Sequence, residues 1–284
     1  MARDSRLRTT YLAVVVAGVL AFAVTAGLLS LPGHSRTGVA HAAPLVDAVR
    51  VRPFTDRGPQ ARPQPSTKPA QKKKRKKQHA DAAPTGHVLV AVPRDLTARA
   101  RPEAGAAVVG VVPSGSKYYD VPTTAWVEEV SDNGRWGRVE LPYVWPRREG
   151  WILLPGLRRD QTFVEVHVDL SQRRLTVEKR GRVLFGTRTA IGTSSTPTPV
   201  GEYFVTDRVP FSGGYLGTFA FGISGIQPHL PAGWSGGNQL AIHGTNDPSS
   251  IGTSASAGCM RVSERTLDRL KPLLRLGTPV IVER

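Results

Sequence analysis

Short runs of alternating apolar and polar residues follow one another from His87 to the end of the chain, and turn-forming Gly, Pro, Asn and Asp residues separate them. The run TFVEVHVDL is typical, because Val164, Val166 and Val168 alternate with polar residues and so share one face. A period of two is the period of a half-buried β-strand, whereas an amphipathic helix needs a period near 3.6. The sequence therefore predicts a mainly β fold over these residues.

The last part of the chain, residues 160–284, is predicted to form a β-sandwich with one peripheral helix. The helix should begin after Ser263, because a serine side chain can accept a hydrogen bond from the first helical turn. Leu267 and Leu270 would form its buried stripe, and Pro272 limits its regular extent. A final strand, GTPVIVE, would then close the sheet.

A smaller β module is predicted for residues 87–159. Seven brief strand-like segments occur there, and turns such as Asp132-Asn133-Gly134 separate them, which favours a small barrel. Three segments in order, LTARARPEAGAAVVGVVPSG, WVEEVSDNGRWGRVEL and EGWILL, resemble a bacterial SH3-like domain over nearly the whole module. That resemblance implies a spacer or a module that docks on cell-wall peptides.

An export segment is predicted for residues 1–43. Tyr11 to Leu31 contains no charged residue, a length that can cross a bilayer as a helix, and three arginines precede it. A small-x-small pattern, Ala40-His41-Ala42, could be cut by a signal peptidase. The sequence leaves a cleaved signal peptide and a retained membrane anchor both open, and either one predicts an extracytoplasmic protein of the bacterial envelope.

Residues 44–86 are predicted to be a disordered basic linker. They carry eleven Lys or Arg against three Asp, with many prolines and almost no aliphatic clusters, so they cannot form a core. The run Lys72 to Lys77 is the densest part of this charge. Because the charge lies in a tether beyond an export segment, we expect it to contact membrane lipids or anionic wall polymers, and we expect no nucleic-acid partner.

The chain has a single cysteine, Cys259, within the sequence Ser-Ala-Gly-Cys-Met-Arg. An exported protein with one cysteine cannot form an internal disulfide, which leaves an intermolecular bridge or a free reactive thiol. His243 ends a predicted strand sixteen positions earlier and can supply the base that a thiol nucleophile needs. Ala257 and Gly258 leave open backbone before the sulfur, where N–H groups could bind an oxyanion. Together these residues favour nucleophilic catalysis.

At these residues the chain resembles the YkuD-type L,D-transpeptidases. The segments that carry the resemblance are STPTPVGEYFV, AIHGT, SAGCMRV and GTPVIV, within about residues 162–284. It implies that Cys259 is the nucleophile, that His243 is the general base, and that the backbone carbonyl of Gly244 orients the imidazole. The N–H of Cys259, with that of Gly258 or Ala257, would bind the oxyanion. The implied product is a 3→3 peptidoglycan cross-link between stem peptides, formed with release of D-alanine.

Four further residues are candidates for substrate binding. Many family members have histidine before the Gly-Cys pair, where this chain has alanine. The candidates are Arg261, Ser256, Ala257 and, in a long glycine-rich segment, Trp234. We expect no metal site and no other cofactor. We expect the protein to be a monomer. Two alternatives remain open: an L,D-carboxypeptidase that hydrolyses the same acyl-enzyme, and a non-catalytic wall-binding protein.

Overall fold

The computed structural model describes residues 86–284. The predicted export segment, and all of the predicted basic linker except its last residue, lie outside the described residues. In the described part of the chain, the helices fall short of the length and apolar character that a bilayer crossing requires.

Two antiparallel sheets contain the strands of the first β module. One has three strands in the order β4-β1-β8, and the other has five in the order β3-β2-β7-β6-β5. The strands are β1 (His87–Ala91), β2 (Leu96–Arg99), β3 (Val108–Val112), β4 (Thr124–Val127), β5 (Glu129–Val130), β6 (Trp136–Glu140), β7 (Glu149–Leu153) and β8 (Arg159–Thr162).

An eight-stranded sheet dominates the second part of the chain, in the order β11-β10-β9-β18-β13-β14-β15-β17, and a two-stranded pair, β12 with β16, lies beside it. Two of its pairings are parallel, β9 with β18 and β15 with β17. The strands and the helix of this second part are β9 (Val164–Asp169), β10 (Arg174–Lys179), β11 (Arg182–Arg188), β12 (Ile191–Gly192), β13 (Gly201–Pro210), β14 (Phe219–Ile226), β15 (Gln239–His243), β16 (Ser254–Ser256), β17 (Met260–Arg261), α1 (Glu264–Leu270) and β18 (Pro279–Glu283).

The predicted mainly β fold with a peripheral helix is confirmed. Along β9 the three valines are buried and the alternate residues are partly exposed, as a period of two requires. Ser263 caps α1 by accepting a hydrogen bond from the Thr266 N–H at 3.2 Å. Leu267 and Leu270 are fully buried in the main core. The helix therefore covers the sheet with the stripe that the sequence predicts.

The strand β8 crosses the boundary that the sequence predicts at residue 159. It pairs with β1 through Val88 and Gln161, so the first residues assigned to the second domain complete a sheet of the first. Phe204, on β13, is fully buried in the core of the first module. The hydroxyl of Ser224 donates a hydrogen bond to the buried carboxyl group of Glu140. The two parts of residues 86–284 are thus joined by shared packing.

A second contact between the two parts is ionic. The Glu165 carboxylate on β9 lies 3.4 Å from Nε2 of His87 on β1 and 3.5 Å from Nε2 of His167. The contacts with His167 and then with His87 lower the pKa of Glu165 to about 2. The same carboxylate raises the pKa of His167. The ion pair between Glu165 and His167 therefore stabilises the fold over the pH range in which the carboxylate and the imidazole are both charged.

Glu165→Gln is expected to lower the free energy of unfolding by about 1 kcal/mol at pH 6, because the pair is partly exposed to solvent. A carboxyl group with a depressed pKa stabilises the fold above its unfolded pKa and loses that effect as pH falls toward the folded value. The His167 contribution is lost instead as pH rises above its ordinary pKa. Denaturant unfolding from pH 3 to 9 measures this, and a difference between the proteins that does not change with pH would contradict it.

Candidate active site

Pairing of β15 with β17 brings the predicted nucleophile, Cys259, and the predicted base, His243, into the same groove. His243 is the last residue of β15, and β17 pairs in parallel with that strand through Ile242 and Met260. Cys259 directly precedes Met260, and its Sγ lies 3.9 Å from the carbonyl oxygen of Gln239 at the start of β15. Cys259 and His243 line the same groove, whose volume is about 420 Å³. The fold thus brings together the two residues that the sequence selects.

The imidazole of His243 is held by its own chain neighbour. Nδ1 lies 2.6 Å from the carbonyl oxygen of Gly244, the contact that the sequence predicts for that residue. Because a carbonyl oxygen can only accept, Nδ1 must carry the hydrogen, and Nε2 is left as the proton acceptor. His243 is 3% exposed, and burial is the main reason why its pKa falls to about 4. The imidazole is therefore neutral at physiological pH.

The thiol of Cys259 is also neutral at physiological pH. Burial raises its pKa above the ordinary value, although a backbone hydrogen bond at Ala241 and the positive charge of Arg261 act in the opposite direction. A thiolate paired with an imidazolium would need the reverse shifts in both groups. The resting state is thus a thiol beside a neutral base, and the proton must move as the nucleophile attacks.

Alkylation of Cys259 by iodoacetamide is consequently expected to be slow at pH 7 and to rise continuously toward pH 10. The raised thiol pKa keeps the thiolate fraction small at neutral pH, and the lowered His243 pKa prevents an ion pair from forming. Second-order rates from intact mass at a series of pH values measure this. A plateau of full reactivity between pH 5 and 8 would contradict it.

Ser256 organises the turn that precedes the sulfur. Its Oγ donates to the carbonyl oxygen of Cys259 at 2.7 Å and accepts from the Gly258 N–H at 3.0 Å. Gly258 has a φ of +118°, and a Cβ at this position would lie 2.3 Å from Nε2 of Gln227. Only glycine fits both requirements. Ser256, which the sequence proposes for substrate binding, lines the groove, but it is buried and its hydroxyl contacts the turn.

The same geometry bears on the oxyanion donors. The N–H of Gly258, which the sequence proposes for this role, is engaged by Ser256 and is not free to bind a ligand in this conformation. The expectation for Gly258 thus does not fit the turn as it is built, because a serine side chain two residues earlier takes its hydrogen. The N–H groups of Cys259 and Ala257 remain as the predicted donors.

A second layer of polar side chains fixes this turn from behind. Thr198 Oγ1 donates to the Gly258 carbonyl at 2.8 Å, and Thr196 Oγ1 donates to the Ser256 carbonyl at 3.1 Å. Gln227 Nε2 donates to the Ala257 carbonyl at 3.2 Å. Both threonines belong to the segment STPTP, which carries part of the family resemblance but reveals no role by itself. No sequence signal distinguishes Gln227, because its partner lies thirty residues away.

Arg261 follows the nucleophile and lines the groove. Its backbone is paired with Ala190, with N–H to oxygen distances of 3.1 and 2.9 Å. Its side-chain Nε is buried and has no hydrogen-bond partner among residues 86–284. Of the Lys, Arg, Asp and Glu residues in that part of the chain, it alone lines the groove. A buried guanidinium donor without a partner, facing a groove, is suited to a carboxylate ligand.

Several aromatic side chains line the groove. Trp234 is 46% exposed, and its indole N–H donates to the Gly237 carbonyl at 2.7 Å. Its nitrogen is therefore satisfied within the chain, and the ring offers mainly an apolar surface to the groove. Two tyrosines that the sequence did not select, Tyr118 and Tyr119, also line the groove. Ala257, two residues before Cys259, lines it as well.

In the described part of the chain, one set of side chains has the spacing of a metal site, and it lies outside the groove. One ligand atom each of Glu165, His167 and Glu178 lies within 4.8 Å of the others. The three residues are partly exposed, and two of them form the ion pair described above. The groove itself contains one imidazole, one thiol and no carboxylate. Its chemistry is accordingly derived from the protein groups alone.

Comparison with known proteins gives consistent matches for the second part of the chain. The family model for the L,D-transpeptidase catalytic domain, YkuD, matches residues 164–282. YkuD of Bacillus licheniformis, a protein proposed to be an L,D-transpeptidase, is 33% identical over 132 residues, which cover 46% of this chain and 73% of that protein. The corresponding protein of Bacillus subtilis is 31% identical over 134 residues, or 47% of this chain and 74% of that protein.

Among solved structures, an L,D-transpeptidase mutant of Enterococcus faecium is 22% identical, with a TM-score of 0.34. The match covers 42% of this chain and about half, 49%, of that one. The residues that the family model matches, 164–282, include both His243 and Cys259. On these matches, the chain belongs to the YkuD family of L,D-transpeptidases.

Proposed function

We propose that this protein is an exported bacterial enzyme that transfers acyl groups between peptidoglycan stem peptides and so forms 3→3 cross-links. The observation that carries the proposal is that the chain's single thiol lines one groove with a buried histidine whose Nδ1 is fixed by the Gly244 carbonyl. This arrangement leaves Nε2 as a base and needs no carboxylate to orient the ring. Family membership supports an acyl transfer of the L,D-transpeptidase type.

The first half-reaction acylates Cys259. The sulfur attacks the amide carbonyl between the third stem residue, a diamino acid, and the terminal D-alanine, while Nε2 of His243 takes the thiol proton. The N–H of Cys259, with that of Ala257, would bind the oxyanion of the tetrahedral intermediate. As the C–N bond breaks, the imidazolium returns the proton to the leaving amine. D-Alanine departs, and a thioester to Cys259 remains.

The second half-reaction transfers the acyl group to an amine. The side-chain amine of the diamino acid in a second stem attacks the thioester carbonyl, and His243 accepts a proton from that amine. Collapse of the intermediate breaks the C–S bond, and the proton passes to the departing sulfur. One amide has been exchanged for another, so the reaction needs no external energy source and no cofactor.

The groove is suited to a peptide with few charges. Arg261 supplies one positive charge beside the nucleophile, where a stem carboxylate would pair with it. The aromatic side chains that line the groove, Tyr118, Tyr119 and Trp234, would contact uncharged parts of the substrate. A carbapenem presents a strained amide to the same thiol, and we expect it to acylate Cys259.

The remaining parts of the chain support a tethered envelope enzyme. The export segment of residues 1–43 would place the protein outside the cytoplasm, and the basic linker of residues 44–86 would span tens of ångströms toward the wall. We further propose that residues 87–159 are SH3-like, which their short strands and five-stranded antiparallel sheet support. We expect the protein to act as a monomer, and its proposed partners are stem peptides, with anionic lipids or wall polymers at the linker.

Incubation of the purified protein with a stem tetrapeptide, followed by intact-mass measurement, tests the proposal. We expect a mass increase equal to the tripeptide acyl group, located on Cys259 by peptide mapping, together with free D-alanine. Addition of a stem peptide with a free side-chain amine should then give a cross-linked dimer.

Each other result selects an alternative. Free tripeptide in the presence of excess amine acceptor would identify the protein as an L,D-carboxypeptidase. A folded protein that forms no adduct with the tetrapeptide or with a carbapenem would favour a non-catalytic wall-binding protein. Of these results, only the cross-linked dimer would support a transpeptidase.

A further inference from the structure

One loop of the first β module reaches the active-site groove. This tyrosine loop, residues 115–121, lies between β3 and β4 and is closed by its own hydrogen bonds. The Ser116 N–H donates to the Val121 carbonyl at 2.8 Å, and the Val121 N–H donates to Ser116 Oγ at 3.1 Å. Because these bonds close the loop at its base, Tyr118 and Tyr119 are presented from a preformed turn. Both line the groove and are less than half exposed.

The hydroxyl of Tyr118 binds the segment that leads into the catalytic strand β15. It donates to Oδ1 of Asn238 at 2.9 Å and accepts from the Asn238 N–H at 3.3 Å. The preceding residue, Gly237, has a φ of +73°, and a Cβ there would lie 3.2 Å from the Tyr118 ring. The contact therefore combines two hydrogen bonds with a close approach that glycine permits.

Asn238 is directly followed by a residue that contacts the thiol. Gln239 begins β15, and its carbonyl oxygen is the one that lies 3.9 Å from Cys259 Sγ. Its side-chain Nε2 donates to Thr206 Oγ1 at 2.9 Å and to Asp207 Oδ2 at 2.7 Å, so this residue is firmly held. Four residues further along the same strand is His243. The tyrosine loop thus contacts the chain one residue before the active site begins.

The glycine-rich loop, residues 231–238, has an internal anchor as well. The Trp234 N–H donates to the Pro231 carbonyl at 3.2 Å, and the indole N–H donates to the Gly237 carbonyl. Gly237 is therefore held on one side by Trp234 and contacted on the other by Tyr118. The loop has four glycines or prolines in eight residues, so it depends on such contacts for a fixed conformation.

We propose that the first β module is part of the active site: Tyr118 is a positioning residue that fixes the glycine-rich loop beside Cys259, and the faces of Tyr118 and Tyr119 form the wall that binds the uncharged, non-reacting part of the stem substrate. Of the Lys, Arg, Asp and Glu residues among residues 86–284, only Arg261, two residues after Cys259, lines the groove, so the aromatic wall is suited to a neutral segment. The substrate part of this inference rests on the proposed function, whereas the positioning part rests on the contacts alone.

The test compares Tyr118→Phe with Tyr119→Phe in the full chain. The two changes are matched, since each removes one hydroxyl from the same loop, but in the described residues the Tyr119 hydroxyl makes no hydrogen bond. Hydrogen exchange of the peptide that covers residues 231–239 should be at least about fivefold faster in Tyr118→Phe, because both hydrogen bonds to Asn238 are lost and one alone corresponds to about that factor, and unchanged in Tyr119→Phe.

Acylation kinetics with the stem tetrapeptide provide the second measurement. We expect KM to rise about fivefold in Tyr118→Phe with kcat within twofold, because the wall that binds the substrate becomes less ordered. A Tyr119→Ala variant should also raise KM, through loss of the ring. A melting temperature within about 2 °C of that of the unsubstituted protein would separate positioning from global destabilisation.

The outcomes are distinct. Unchanged exchange of residues 231–239 in Tyr118→Phe would overturn the positioning role. Faster exchange, combined with an unsubstituted protein that forms no thioester, would support positioning and reject the proposed function. Thioester formation with an unchanged KM in both Tyr118→Phe and Tyr119→Ala would reject the substrate wall and leave the proposed function intact.

Discussion

The Cys259→Ala protein is expected to form no covalent adduct with a stem tetrapeptide or a carbapenem, and to lose at least about 10⁴-fold in the rate of D-alanine release, as other acyl-transfer enzymes do when their nucleophile is removed. Cys259 is the only cysteine in the chain, so no other thiol can take over the reaction. Intact mass and release of D-alanine measure the loss. Cys259→Ser should also be severely impaired, because a hydroxyl is much harder to deprotonate than a thiol.

The variant should remain folded and should still bind substrate. Alanine removes one sulfur atom from a half-buried residue, whereas the turn is held by Ser256 and by Thr196 and Thr198 behind it. Binding of the tetrapeptide to Cys259→Ala by calorimetry, with an affinity close to that of the unsubstituted protein, is the control for an intact groove. Adduct formation by Cys259→Ala, or cell walls with unchanged 3→3 cross-links in bacteria that carry only this variant, would contradict the assignment of the nucleophile.

Because Cys259 and His243 are both neutral before the reaction, we expect the rate of attack to depend more on the placement of these two groups than on their charges. In an enzyme with a preformed thiolate, the nucleophile is activated before substrate arrives. In this groove burial opposes ionisation of both His243 and Cys259, so the proton must be transferred during attack. A proton transfer of this kind is sensitive to the placement of donor and acceptor. We therefore expect the Gly244 carbonyl and the Ser256 hydrogen bonds, which fix the two partners, to contribute to the rate of acylation.

The residues that the sequence proposes for catalysis have local signals. His243 ends an apolar run that reads as a buried strand, and Cys259 lies in a motif with a glycine at its left-handed position. The helix after Ser263 is equally local, since its cap and its leucines lie within eight residues. Each of these features is determined by neighbours that are close in the chain.

The features that the sequence did not predict depend on distant contacts. Tyr118 and Asn238 are 120 residues apart, and no periodicity relates them. Phe204 has the same polarity as the core residues Tyr203 and Val205 beside it, so its burial in the other core is decided by tertiary packing. The hydrogen bond from the Gly258 N–H to Ser256 Oγ depends on the φ of +118° at Gly258 and on the rotamer of Ser256. Residue identity alone specifies neither.

His243→Gln is expected to lower the second-order rate of Cys259 acylation by about 10³-fold, within the range that general-base catalysis contributes. Glutamine can occupy a similar volume and can donate a hydrogen bond toward the Gly244 carbonyl, but its amide cannot accept the thiol proton at a useful pKa. The thiol should keep its slow, pH-dependent alkylation by iodoacetamide above pH 9, because hydroxide can replace the missing base there. The loss should therefore be specific to acylation near neutral pH.

The matched control is His167→Gln, which makes the same change on β9 outside the groove and should keep the acylation rate within about twofold. The pH profile then separates the roles of His243. In the unsubstituted protein, acylation should fall below about pH 4 as the imidazole is protonated, whereas in His243→Gln this acid limb should disappear. If His243→Gln keeps more than a tenth of the acylation rate, or if its acid limb is unchanged, then another group must accept the proton. No other imidazole or carboxylate from residues 86–284 lines the groove, so in that case the substrate itself would have to supply the base.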